Sequence, residues 1–345
     1  VVGGPVSEIF RDERANAGYR EFVIKKTSAA LLFVSGVLVA ATAQAGAAPA
    51  EARSDGAELL YRAPAPGSAQ NAAFSPDGSQ VLFTNFFGGY NKGGASLNRM
   101  PVGGGTPQEL VREGDQAAVN LPGSAWNGRT GLITFSYDIT DRDEIWTLAP
   151  GSEPRQVTSH TGTRGYTEPS FSPNGDWIVF QENDSQTEAN AQGSIWKVRT
   201  DGTELTKLVD GPGTNTDNRQ PNWSPSGDRI VFQSRSGTST DWDLITIAPD
   251  ATARKSLTTG PDEDTDPSFS PDGKWVVYSS DHAHTAHAQV FATRSDGTGQ
   301  PLRVTTSTQY DGAPSWSPDG KWIAFESSAD GRASTALWRI PIQVP

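Results

Sequence analysis

The sequence predicts an all-β fold: a six-bladed β-propeller of four-stranded antiparallel blades, closed by an N-terminal strand that completes the C-terminal blade. Three observations carry this expectation. Five near-copies of one phrase recur, at Phe74-Ser75-Pro76-Asp77-Gly78, Phe171-Ser172-Pro173-Asn174-Gly175, Trp223-Ser224-Pro225-Ser226-Gly227, Phe269-Ser270-Pro271-Asp272-Gly273 and Trp316-Ser317-Pro318-Asp319-Gly320. A worn sixth copy stands at Trp126-Asn127-Gly128, and successive anchor aromatics lie 52, 45, 52, 46 and 47 residues apart, a period that belongs to radial repeats of β-rich units. Finally, the chain has no fourth strand after residues 336–340 but holds a spare one, residues 58–62, before the first repeat. A strand from one end that completes a sheet at the other closes a circle and removes an exposed edge.

Each unit reads as strands A to D. Strand A ends on the anchor aromatic, as in Pro267-Ser268-Phe269. Ser-Pro-Asp-Gly is turn chemistry: proline presets φ, Asp tolerates the next position and Gly accepts positive φ at the exit. Strand B is the β-branched and aromatic run that follows, such as Trp177-Ile178-Val179-Phe180 or Trp275-Val276-Val277-Tyr278. Strand C includes Glu144-Ile145-Trp146 and Ser194-Ile195-Trp196, and leads through Asp201-Gly202 or Asp296-Gly297, strong hairpin signals, into strand D. Most of the ten Trp residues fall at equivalent strand positions, Trp146, Trp196 and Trp338 on strand C and Trp177, Trp275 and Trp322 opening strand B. Repetition of this kind is what packing between flat sheets demands.

Ahead of the ring, Lys25-Lys26, an apolar stretch over residues 29–42 and Ala43-Gln44-Ala45 read as a secretory signal peptide spanning 25–45. The apolar stretch is too short for a membrane span. Residues 1–24 read as an extension upstream of the true translation start, with Val23 in the place of a GTG start codon, and residues 46–57 as a linker to a propeller over 58–345. The expected product is a periplasmic or extracellular monomer with no membrane span in the mature chain. A net charge of −12 disfavours nucleic acid and anionic lipid as partners. The absence of Cys excludes disulfides and thiol nucleophiles.

The pattern P-x-[FW]-S-P-D-G-x-x-[IV]-x-[FY], carried by residues 169–180, 221–232, 267–278 and 314–325 and, without its leading Pro, by 74–83, resembles the PD40 (WD40-like) repeat of the TolB-like β-propeller family. The resemblance covers essentially all of residues 58–345. It implies an exported six-bladed ring used as a protein-docking platform, as TolB is in the Tol-Pal envelope system, where it binds a peptidoglycan-associated lipoprotein. The α/β domain that precedes the propeller in TolB has no counterpart in the short linker, so a stand-alone ring is expected.

In a propeller the B–C and D–A loops share one face, and the A–B and C–D turns share the other. The turns here are stereotyped, whereas the B–C and D–A loops are long and individual, over 85–96, 182–193, 211–220 and 234–241. Loops freed from a repeat are where recognition concentrates. Tyr90, Arg164, Tyr166, Asn218, Arg219, Trp242 and Tyr310 supply aromatic, guanidinium and amide groups there, the first two kinds dominating interfaces, and form the candidate surface for a protein or cell-envelope component. No catalytic residue and no cofactor is expected under this reading. The alternative is a metal-dependent lyase of acidic polysaccharide, since some TolB-like propellers are oligogalacturonate lyases. His282, His284 and His287, three of the four histidines, would then hold a transition metal. Asp262, Asp264 and Asp266 alternate like the first ligands of a calcium loop, although Pro267 and Gly273 stand where such a loop needs Gly and Glu. Otherwise these aspartates are solvated surface charges.

Overall fold

The computed structural model describes residues 51–112, 116–138, 142–161, 164–183, 192–237, 239–282, 287–328 and 333–345. The extension, the leader and the start of the linker lie outside these residues, as do His284 and residues 184–191 of one long loop. Residues 48–345 form one compact unit of six four-stranded antiparallel sheets. Blade 1 comprises Ser68–Phe74, Gln80–Phe86, Ala95–Pro101 and Gln108–Val111. Blade 2 comprises Ala118–Val119, Ile133–Tyr137, Glu144–Leu148 and Arg155–Gln156. Blade 3 is Gly165–Phe171, Trp177–Asn183, Ser194–Arg199 and Thr206–Val209. Blade 4 is Thr216–Trp223, Ile230–Ser236, Asp243–Ile247 and Lys255–Ser256, entered through the one-turn helix Gly211–Thr214. Blade 5 is Thr265–Phe269, Trp275–Ser280, Gln289–Arg294 and Leu302–Arg303.

Blade 6 closes the ring as the sequence requires. Asp311–Trp316, Trp322–Ser327 and Ala336–Pro341 are joined by Glu58–Tyr61, with Glu58 opposite Arg339 and Leu59 opposite Trp338. The N-terminal segment adds a clasp that no repeat announces. The Arg53 guanidinium lies 2.8 Å from Asp311 Oδ1 and over the rings of Phe325 and Trp338, with Asp55 on its other side.

The core is six layers between blades. One hydrophobic cluster joins blades 1 and 2 through Leu82, Leu97, Phe135 and Tyr137. Another joins blades 6 and 1 through Phe83, Ala324 and Leu337. The strand-B aromatics Phe83, Phe135, Phe180, Phe232, Tyr278 and Phe325 are all buried, and each buried ring of that size is worth roughly 1.5–3 kcal/mol. The repeated tryptophans pack as expected. Trp338 is buried, and several partly exposed ones carry a cation, such as Lys197 and Arg199 over Trp177 or Arg339 over Trp322.

The turn phrase does a second job between blades. In each Ser-Pro turn the Ser hydroxyl donates to a nearby Asp, or to Asn174 in blade 3, and accepts an amide five residues on: Ser75 Oγ to Asp77 Oδ1 at 2.6 Å, and Gln80 N to Ser75 Oγ at 2.9 Å. That bond, made by the hydroxyl, holds the Asp77 carboxyl down at about 2. The proline of each turn then lies against the glycine of the next blade. A Cβ on Gly227 would meet Pro173 at 3.2 Å, one on Gly273 would meet Pro225 at 3.4 Å, and across the closing seam one on Gly78 would meet Pro318 at 3.3 Å. These glycines also have φ of +70° to +78°. Blade 2 lacks the proline, and Asn127 and Thr130 cover Gly175 in its place.

Candidate functional site

The inner strands explain which side chains face the channel. Three residues before the anchor aromatic, each strand A takes a left-handed conformation: Asn71, Glu168, Gln220, Asp266 and Ala313 have φ of +47° to +58°, and Gly123 occupies the equivalent place in blade 2. The strand register shifts at the same point, as between Thr265 and Ser268. Non-glycine residues hold this conformation only when neighbours fix it. Here the polar residue that follows the strand-B aromatic of the preceding blade accepts the turned amide. Gln220 N donates to Gln181 Oε1 (2.8 Å), Asp266 N to Gln233 Oε1 (2.9 Å), Ala313 N to Ser279 Oγ (3.1 Å) and Asn71 N to Glu326 Oε2 (3.4 Å).

This arrangement gathers three carboxyls, Glu168, Asp266 and Glu326, that the sequence did not single out as a group. Burial, then the Asp266 charge, pushes Glu326 up to about 8 and Glu168 up to about 7. Burial also raises Asp266, against hydrogen bonds from Ser279 and Gln220. Gln220 Nε2 reaches Glu168 Oε1 at 3.4 Å, and Tyr310 OH reaches Glu326 Oε1 at 3.3 Å.

The predicted recognition residues fall into three places. At the seam of blades 6 and 1, Tyr90 is 38% exposed and meets Tyr310 edge to face at 6.3 Å. The two rings, with Ser328, Ala333, Ser334 and Thr335, line a cavity of about 240 Å³. On blade 4, Trp242 is only 8% exposed, and two guanidiniums lie over its ring, Arg235 at 4.5 Å and Arg219 at 5.5 Å, both paired with Asp217. On blade 3, Arg164 lies 3.7 Å from Glu182 and donates to the Gln192 carbonyl. Two more predicted residues lie inside. Tyr166 is 4% exposed among His160, Phe180 and Trp196. Asn218 is fully buried, bonded to Gly193 O, Thr216 and Ser234. Both belong to an inner strand that the sequence reading left as loop.

Among the described residues, two of the metal candidates, His282 and Asp262, come together. His282 Nδ1 pairs with Asp262 Oδ2 at 2.7 Å, and its ring edge meets Phe291. His287 is exposed, and His284 is outside the described residues. Residues two apart on an extended chain would share a face, but the left-handed turn at Asp266 and the register shift beside it break that pattern: Asp264 turns in towards Ser280 and Thr258, whereas Asp266 joins the channel wall. Asp264 is therefore a buried group, 7% exposed, and not a solvated surface charge. Among the described residues no three His, Asp or Glu side chains form a metal-ligand set. The fourth histidine, His160, is fixed between Glu144 Oε1 (2.8 Å) and the Arg164 carbonyl, which pins the D–A loop beneath Arg164.

Residues 213–342 match the model of the TolB beta propeller domain. A stretch of 173 residues is 30% identical to an uncharacterized protein of Agrobacterium fabrum, covering 46% of this chain and 49% of that protein. The chain thus spans about half the length of this curated relative. Among solved structures, a putative TolB from Agrobacterium tumefaciens superposes with a TM-score of 0.54 at 20% identity, over 81% of this chain and 92% of that one. An oligogalacturonate lyase from Vibrio parahaemolyticus superposes with a TM-score of 0.53 at 13% identity, over 85% and 96%. At these identities the likenesses establish the fold alone. No helix among the described residues is long and apolar enough to cross a membrane.

Proposed function

Taking the chain as the TolB-like β-propeller of PD40 repeats that its sequence and fold make it, we propose that it is an exported, non-catalytic platform. It binds a protein or another cell-envelope component through the B–C and D–A loop face. Residues 25–45 direct export, and the mature ring works in the periplasm or outside the cell. The observation that carries this reading is the segregation of side chains. The exposed Tyr90 against Tyr310, Arg164, and the Arg219–Trp242–Arg235 stack all belong to the loop end of the ring. Aromatic and arginine side chains over small cavities are the usual anchors of an interface. His282, engaged by Asp262, supplies no such concentration of metal ligands.

The test is retention from envelope extracts on immobilised wild type, Tyr90→Ala and Arg164→Ala. A partner held by the wild type and released by both variants supports the platform. Retention unchanged by both substitutions, or turnover of an acidic polysaccharide that chelation abolishes, defeats it.

A further inference from the structure

The opposite end of the channel is a blind cup. Asn222, on the inner strand of blade 4, crosses the axis: its Nδ2 donates to the carbonyls of Pro122 in blade 2 and Pro267 in blade 5, at 3.1 Å each. Its Oδ1 accepts from Ser170 Oγ and Ser124 N. Gly123 permits the approach, since a Cβ there would fall 2.6 Å from Ser268 Oγ and 2.9 Å from Asn222 Oδ1. On the A–B-turn side of this crossbar lies a basin of about 270 Å³.

Its lining has an unusual composition for a chain that is 20% charged. The six anchor aromatics Phe74, Trp126, Phe171, Trp223, Phe269 and Trp316 form the wall, with serines, prolines and Asn127 between them, and no charged side chain lines it. The hydroxyls of Ser75, Ser172, Ser224, Ser270 and Ser317 are engaged inside their own turns. Ser268 differs. It is 3% exposed, it lines the basin, and among the described residues its Oγ has no hydrogen-bond partner. A hydroxyl that opens onto the basin and is engaged by no other described side chain is free to bond a ligand there.

We propose that this basin binds a single neutral sugar ring. An uncharged wall excludes carboxylates and ammonium groups, because a charge desolvated there would find no counter-charge. Aromatic side chains in the wall offer apolar contact to the C–H groups of a pyranose, and the Ser268 hydroxyl can donate to or accept from a sugar hydroxyl. A basin of about 270 Å³ has room for one hexose ring. The site is separate from the loop face, so it stands or falls independently of the platform.

Saturation-transfer NMR of the full chain with glucose, N-acetylglucosamine and galacturonate tests the proposal. Saturable binding of a neutral sugar and none of galacturonate is expected. Ser268→Ala, which removes one atom, should weaken binding about fivefold, the value of one ordinary hydrogen bond. Tyr90→Ala, on the other face, should bind sugar like the wild type. No saturable binding up to about 10 mM, far into the weak end of the affinity scale, would overturn the proposal. So would equal binding of galacturonate, an unaffected Ser268→Ala, or loss of binding in Tyr90→Ala.

Discussion

The two ends of the inner strands follow opposite rules. At the A–B-turn end five blades repeat one chemical phrase, and the sixth substitutes for it with Asn127 and Thr130. At the loop end no two blades are alike: a tyrosine pair at one seam, a guanidinium–indole stack on blade 4, a histidine clamped to Glu144 on blade 2. Uniformity marks the parts that hold neighbours at a fixed spacing. Individuality marks the parts released from that duty, where recognition can be built.

Several substitutions would sharpen or break this contrast. The largest effect is expected from deleting Glu58–Tyr61, because both ends depend on the closed circle. Blade 6 would expose an unpaired edge along Ala336–Pro341, and cooperative thermal unfolding should shift down sharply or disappear. An unchanged transition would mean that the ring does not rely on this strand. Next comes the proline–glycine ladder. Gly227 and Gly151 share a positive φ, +78° and +73°, but only Gly227 has a proline 3.2 Å from a Cβ position. Both Gly→Ala variants should lose stability through φ strain, and Gly227→Ala should lose about 1 kcal/mol more, from the contact. Equal losses in denaturant titrations would remove the ladder from the account.

The channel carboxyls give a smaller, pH-dependent effect. Glu326 rises from 4.5 to about 8 through burial and Asp266. Between these values the folded state binds the extra proton, so stability from this group falls as pH rises and is fully lost above about 8. Glu326→Gln cannot ionise and should gain on the wild type by a few kcal/mol across that window, an order-of-magnitude figure. Melting curves from pH 4 to 9 that stay parallel would contradict the burial of this group. The smallest stability effect belongs to the loop face: Tyr90→Ala and Arg164→Ala should each change stability by under about 0.5 kcal/mol while weakening partner capture.

How much of this was legible in the sequence divides along the same line. Ser-Pro-Asp-Gly and the aromatic before it recur, so blade number, strand order and closure by a strand at residues 58–62 could all be read. The left-handed position of the inner strands could not, because it carries Asn71, Gly123, Glu168, Gln220, Asp266 and Ala313 in turn. What repeats there is a backbone conformation, with no residue type to mark it. A signal did exist in the polar residue after each strand-B aromatic, Gln181, Gln233, Ser279 and Glu326, which is buried despite its chemistry. Tyr166 and Asn218 looked like loop residues because the inner strands begin earlier than the short aromatic-ended runs suggest. Arg53 had no repeat to mark it at all, yet its ion pair with the fully buried Asp311 is among the most enclosed at the seam.

The central claim, that the loop face recognises and the turn face spaces the blades, is tested most directly by hydrogen–deuterium exchange on the ring with its captured partner bound. The account predicts slowed exchange around Tyr90, Arg164, Trp242 and Tyr310, with the turns at Pro76, Pro173, Pro225, Pro271 and Pro318 unchanged. Protection confined to those turns, with the loops exchanging as in the free ring, would contradict it.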